Sequence, residues 1–214
     1  MSNSSVILST AYLPPVQYFA KLIGYQNVYI EVFETYSKQS FRNRCEILTC
    51  NGTLSLIVPV IKTNGNKTLT KDIRIDYSTN WQKNHWKAIE SAYRNSAYYD
   101  FVSDLLLPFY TRKETFLIDY NNKINNELFL FLGISKKFSE TDQFHKQYTT
   151  DIADLRTAIH PKTQFQSGDK LFTLVKYYQV FSDRFEFVPN LSIIDLLFNE
   201  GLNSISVIES SIKK

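Results

Sequence analysis

Residues 6–33 carry the pattern that most limits what this chain can fold into. Val6-Ile7-Leu8 is a short apolar run of the kind that forms a buried strand. It ends at Ser9-Thr10-Ala11-Tyr12-Leu13-Pro14-Pro15. The two prolines lack backbone donors, so the ladder stops there, and their fixed φ suits a first helical turn. Residues 16–23 then read as a helix with Gly24 near its end, and 27–33 as a strand with Val28, Ile30 and Val32 on one face. Strand, loop, helix and strand in about thirty residues is the length of a βαβ unit. The expectation is an α/β fold with an N-terminal βαβ unit. Open α/β sheets hold ligands in the loops at the carboxyl ends of their strands, so residues 10–18 are a candidate site wall. A rigid structural turn accounts for the same residues equally well.

A hairpin follows. Residues 41–50 and 53–61 flank Asn51-Gly52, a strong short-range hairpin signal. Within it, Arg42, Asn43 and Arg44 stand at the start of the first strand. By strand alternation Arg42 and Arg44 share a face, and two guanidiniums on one face form a fork for phosphate or carboxylate. The competing reading is a solvated face with surface ion pairs. Residues 71–75 read as a short strand with Ile73 and Ile75 inward, which makes the sheet structure mixed.

Helical periodicity dominates thereafter. Trp81, His85, Ala88, Ile89 and Ala92 fall on one face of a 3.6-residue repeat, so 79–93 reads as an amphipathic helix. Thr79 with Gln82 three residues on fits a capping box. Residues 98–110 form a second helix, and 116–132 a third, closed by Gly133 in a Schellman-type stop. A helix from Thr149 or Thr150 through Ala158 is expected, with His160 and Lys162 just beyond its carbonyl end, where cations are favoured. Residues 192–201 read as a last helix, with Ser192 as cap, Asp195 as capping partner and Gly201 as stop. The expected architecture is one domain over 1–214, with a sheet-rich part (1–76) and a mostly helical part (77–214) packed together. His85 sits on a face that should be buried. It is either a core histidine satisfied by the backbone or a general acid/base in a partly buried cleft.

Composition removes several function classes. The chain has 214 residues, 43% hydrophobic and 21% charged, so a substantial core is feasible and global disorder is not expected. Net charge is +3, with both signs interspersed, which is no nucleic-acid footprint. No apolar run reaches membrane-spanning length and no signal segment opens the chain, so a cytoplasmic location is expected. Cys45 and Cys50 are too few and too poorly spaced for a disulfide framework or zinc site, and no metal or cofactor is implied. The 14 tyrosines and 16 phenylalanines suit either a ring-lined cleft or an aromatic core.

Several blocks taken together resemble the WbqC-like protein family. They are Ser9-Thr10-Ala11-Tyr12-Leu13-Pro14-Pro15-Val16-Gln17-Tyr18-Phe19, Phe41-Arg42-Asn43-Arg44-Cys45, Lys71-Asp72-Ile73-Arg74-Ile75, His85-Trp86-Lys87-Ala88-Ile89, and Tyr177-Tyr178-Gln179-Val180-Phe181 with the stretch from Pro189 to Gly201. The first block is similar to versions from Bacteroidetes. Many family members open with Gln-Pro where this chain has Thr10-Ala11. The resemblance implies a role in surface-polysaccharide (O-antigen) or sugar-nucleotide modification, with acyl, aminoacyl or glycosyl-type transfer as the chemistry. It adds weight to Arg42-Asn43-Arg44 and to His85.

Two functional expectations follow. In the first, the chain is a transferase for a sugar-nucleotide or other anionic donor. Arg42, Asn43, Arg44, His160 and Lys162 would hold the anion. His85 would act as general base, and Tyr12, Tyr18 and Tyr93 would line the acceptor pocket. In the second, it is a non-catalytic small-molecule binder or assembly module, since no Gly-rich phosphate loop, paired-histidine zinc helix or nucleophile elbow is present.

Overall fold

The computed structural model describes residues 4–136, 138–162, 169 and 171–213. The fold is α/β, as the N-terminal pattern implies. Strand β1 (Ser5–Ser9) runs into helix α1 (Val16–Gly24), which returns to β2 (Asn27–Glu31). The two strands pair in parallel, with Val6 opposite Val28 and Leu8 opposite Ile30. Two short strands from the later half complete a four-stranded parallel sheet. Strand β7 (Ser139–Glu140) adds outside β2, and β8 (Ile152–Asp154) adds on the far side of β1. The order is β7-β2-β1-β8, so the chain turns to opposite sides of β1.

The hairpin forms a separate sheet of β3 (Arg44–Thr49) and β4 (Gly52–Ile57). Gly52 takes φ +100 directly after the turn, a conformation costly for a side-chain-bearing residue. Strands β5 (Val60–Ile61) and β6 (Arg74–Ile75) form another antiparallel pair, with Ile73 and Ile75 buried.

Helices α2 (Trp81–Tyr93), α3 (Tyr99–Thr111) and α4 (Leu117–Phe131) follow where periodicity puts them. The buried face of α2 is Trp81, His85, Ile89, Ala92 and Tyr93. Gly133 closes α4: its amide donates to the Leu130 carbonyl and the Ile134 amide to the Phe129 carbonyl, the Schellman pair. Helices α5 (Ile193–Glu200) and α6 (Ser204–Ser210) pack against α1. Among the described residues, no helix is long and apolar enough to cross a membrane.

Three local expectations are corrected. Residues 149–158 are not a helix. Ile152-Ala153-Asp154 instead pairs with Ser5-Val6-Ile7, because the open edge of β1 offers three residues a ladder that outweighs a helix too short to be stable by itself. The capping box at Thr79 and Gln82 does not form. The Gln82 amide donates to the carbonyls of Phe109 (2.9 Å) and Arg112 (2.6 Å), oxygens left open at the end of α3. Ser192 and Asp195 do not cap α5 either. The Ser192 hydroxyl donates to the Leu13 carbonyl, and Asp195 is buried among other donors.

Candidate functional site

The carboxyl ends of β1, β2 and β8 meet at the point where the strand order reverses, the usual ligand crevice of an open parallel sheet. Here that edge is filled with paired charges. Arg42 donates from Nε (2.9 Å) and NH2 (2.6 Å) to one Glu34 oxygen, and from NH2 to the Ser9 hydroxyl (2.6 Å). Glu31 ends β2 fully buried. Its carboxylate accepts from the Phe33 amide, the Thr141 hydroxyl, the Tyr148 hydroxyl and Arg156. The crevice left between these groups, lined by Ser9, Tyr18, Arg42 and Arg156, has a volume of about 10 Å³. That is room for about one water.

The 41–44 segment is clamped at every residue. The Phe41 carbonyl accepts from the Tyr12 amide, and the Arg42 carbonyl from the Asn121 side chain. The Asn43 amide side chain donates to the Val58 carbonyl at 2.7 Å. Strand β3 begins only at Arg44, so Arg42 lies in the turn before it. The expected fork of two guanidiniums on one strand face is therefore absent: Arg42 is turned inward to Glu34, and Arg44 faces a different hollow.

That hollow is a depression of about 440 Å³ lined by Tyr36, Lys38, Gln39, Asn43, Arg44 and Lys62, with Ile57 and Val60 as its apolar side. Among the described residues its lining holds three cations and no carboxylate. The Nε of Arg44 is buried without a hydrogen-bond partner. The Lys62 ammonium sits 5.4 Å from the centre of the Tyr36 ring, a cation–π distance. Desolvation and the charge of Lys38 lower the Lys62 pKa. Lys162 reaches the rim through a 2.6 Å bond from Nζ to the Gln39 side-chain oxygen Oε1. His160 accepts the Lys162 amide at Nδ1. Its pKa is lowered by desolvation and by the charges of Arg42, Lys162 and Arg44, which places it in the same positive field.

A family model described as the WbqC-like protein family matches residues 10–170, three quarters of the chain. The chain belongs to this family. The uncharacterized protein Rv1507c of Mycobacterium tuberculosis is 29% identical over 217 residues, covering 91% of this chain and 93% of that one. No solved structure matches.

Within this WbqC-like chain the expected site residues do not share one cavity. Asn43, Arg44, His160 and Lys162 come together at the basic depression or its rim, with Arg42 close behind. His85 and three tyrosines do not join them. His85 is 6% exposed and lines none of the described hollows. Its Nδ1 lies 3.1 Å from the Tyr12 hydroxyl, which in turn lies 2.7 Å from that of Tyr110. Burial lowers its pKa to about 4, against a smaller upward effect of a hydrogen bond to the Ile57 backbone. The imidazole is thus neutral at ordinary pH and shares a hydrogen bond with the Tyr12 hydroxyl. Tyr12 is fully buried, Tyr18 donates to the Ser9 carbonyl, and Tyr93 donates to Asp195 at 2.9 Å.

Sequence reasoning missed Lys38, Lys62, Glu34, Glu31, Arg156 and the environment of Asp195. The lysines stand in polar loops with no local pattern. Asp195 accepts from Tyr93, Tyr177 and Gln179, with no cation among its partners in the described residues. Burial raises its pKa, partly opposed by those three hydrogen bonds. Its spacing from Ser192 matches a capping box and concealed this role. Among the described residues no group of three or more His, Cys, Asp or Glu side chains is placed to hold a metal ion. Cys45 is buried, Cys50 exposed, and both are free thiols.

Proposed function

We propose that this WbqC-like protein holds the phosphate or carboxylate of a sugar nucleotide, or of a related anionic donor, in the basic depression. The setting is the surface-polysaccharide chemistry implied by the family resemblance, carried out in the cytoplasm. One observation carries the reading: among the described residues the depression is lined by Lys38, Arg44 and Lys62 and by no carboxylate. The neighbouring carboxylate, Glu34, is already neutralised by Arg42. A concave site lined by one sign of charge concentrates the opposite sign, and the Arg44 guanidinium in its wall is the group that would give a directed, charge-assisted bond. Asn43 is held by Val58 at the wall, Lys162 extends the positive field along the rim, and His160, kept neutral by that field and by desolvation, lies beside it as a hydrogen-bonding group.

The test is thermal shift and calorimetry against a panel of nucleotide sugars, with the free sugars as controls. Ligands that bind the folded state raise Tm by mass action. Arg44→Ala combined with Lys62→Ala is expected to weaken the nucleotide sugar by about tenfold or more, as loss of two charged hydrogen-bonding partners implies. No shift from any anionic member, or equal affinity in the double variant, overturns the reading.

The sealed position of His85 favours a second reading, in which the chain binds its ligand without transforming it. An imidazole with pKa about 4 is a weak base, and no described hollow brings a substrate to it. On this reading His85→Gln keeps both ligand affinity and polysaccharide output in complemented cells. Lost output with retained fold and affinity would restore the imidazole as the general base of a transferase.

A further inference from the structure

A larger hollow, about 570 Å³, shares Phe41 with the crevice at the sheet edge, and its charge is opposite to that of the basic depression. Its lining includes Gln17, Phe41, Glu46, Asp169, Phe172 and Asn190. The polar floor is built and internally satisfied. Asp169 accepts from Lys21 at 2.8 Å and from the Gln17 side chain at 2.9 Å. The Asn190 side chain accepts the Gln17 backbone amide and donates to the Gln17 side-chain oxygen. Lys21 and Asp169 cancel one another as a buried pair.

Glu46 is different. Its carboxylate makes no hydrogen bond or ion pair among the described residues, and Arg44, two positions along β3, does not close on it. Burial raises the Glu46 pKa, with a smaller opposing effect from Arg44, so a cation brought beside it would be relieving a real desolvation cost. The walls suit such a cation. The Lys21 ammonium already lies 5.9 Å from the Phe172 ring centre, and Phe41 supplies a second ring to the lining.

We propose that this hollow is a binding site for a ligand bearing a protonated amine, with Glu46 as its counter-ion and the Phe41 and Phe172 rings as its walls. The site is separate from the anion-binding depression, and each can fail without the other. A neutral, hydroxyl-rich ligand would also find hydrogen-bonding groups here, but it would leave the Glu46 charge uncompensated.

The probe is benzylamine, with benzyl alcohol as its neutral counterpart, titrated into the full chain and followed by NMR. Benzylamine is expected to bind measurably more tightly than benzyl alcohol, and to lose about tenfold or more in affinity in Glu46→Gln, the loss of one charged hydrogen bond. Phe172→Ala is a second variant, expected to weaken benzylamine while leaving the nucleotide-sugar response unchanged. Arg44→Ala with Lys62→Ala is expected to leave benzylamine binding in place. Equal binding of amine and alcohol, unchanged affinity in Glu46→Gln, or no benzylamine binding at tens of millimolar overturns the proposal. An unchanged melting temperature and unchanged amide dispersion in the NMR spectrum of Glu46→Gln show that the variant is folded, whatever the outcome at the basic depression.

Discussion

His85 shows what burial does to one ionisable side chain. The ring is enclosed by Trp81 and Tyr12, with ring centres 5.1 and 5.9 Å away, and its hydrogen-bonding capacity is met by Tyr12 and the backbone at Ile57. In the folded chain it titrates at about 4, below the ordinary histidine value of roughly 6.5. A base whose folded pKa is depressed gives its full contribution above the unfolded pKa. That contribution is lost as pH falls from about 6.5 to about 4, because only the unfolded state takes up the proton; over that window the loss is roughly 3 kcal/mol. Asp195 carries the opposite sign. Its raised pKa means that ionisation above the ordinary carboxylate range costs stability. Urea unfolding of the parent chain and His85→Gln across this range isolates the histidine. The stability gap between the two is expected to narrow as pH falls, and a constant gap would mean that the imidazole is not sealed. The same contrast of partners separates Arg42 from Arg44. Nothing within the 41–45 motif distinguishes two arginines two positions apart. Glu34 and Ser9 make one of them internal, and both contacts are tertiary.

At the scale of elements, what could be read was what repeats. Helices α2, α3 and α4 each present several turns of apolar residues, so their 3.6-residue period was visible without knowing what they pack on. The βαβ unit and the hairpin were legible through prolines, Asn51-Gly52 and alternation. The three-residue strand β8 has no period to read, and it exists because β1 offers an edge to pair with, whereas the short strand expected at 136–140 does form, as β7. Capping boxes at Thr79 and Ser192 failed for a related reason. The side chains that could close them have better partners brought in from elsewhere in the sequence. The stop at Gly201 was correct, and the structure adds why no other residue serves. Its φ is +55, and a Cβ there would stand 2.4 Å from the Tyr98 ring at the start of α3. Gly201→Ala is therefore expected to combine backbone strain with displacement of that ring, costing about 3 kcal/mol. Thermal unfolding measures it. At unstrained positions Gly-to-Ala changes stabilise by about 0.4–1 kcal/mol, so a cost below about 1 kcal/mol here would mean that Tyr98 moves aside freely.

For the whole molecule, the parallel sheet is where the two ends of the chain are joined. Two of its four strands come from residues beyond 138, and the short β8 is held to the rest by more than its ladder. Arg156, directly after β8, bonds Glu31 at the end of β2 (3.3 Å), Asp154 (2.6 Å) and the His145 carbonyl (3.0 Å), and packs over the Phe144 and Tyr148 rings. This one side chain ties the 144–156 segment to the N-terminal βαβ unit. It also neutralises a carboxylate that is otherwise fully buried. Arg156→Met keeps much of the stem packing but leaves Glu31 with neutral donors alone. Breaking a buried pair from one side costs roughly 3–5 kcal/mol, and a domain of this size loses roughly 2–4 °C of Tm per kcal/mol, so a fall on the order of 10 °C is expected. Glu31→Gln in the same chain removes the stranded charge and is expected to return a large part of the loss, which a double-mutant cycle resolves. Hydrogen exchange gives the matching local readout. Protection in β8 and its flanks is expected to fall further than protection in β1 and β2, because the anchor is lost on one side of the sheet only. A uniform loss across all four strands would instead mean that the sheet and the later segment open as one unit, with Arg156 as one contact among many.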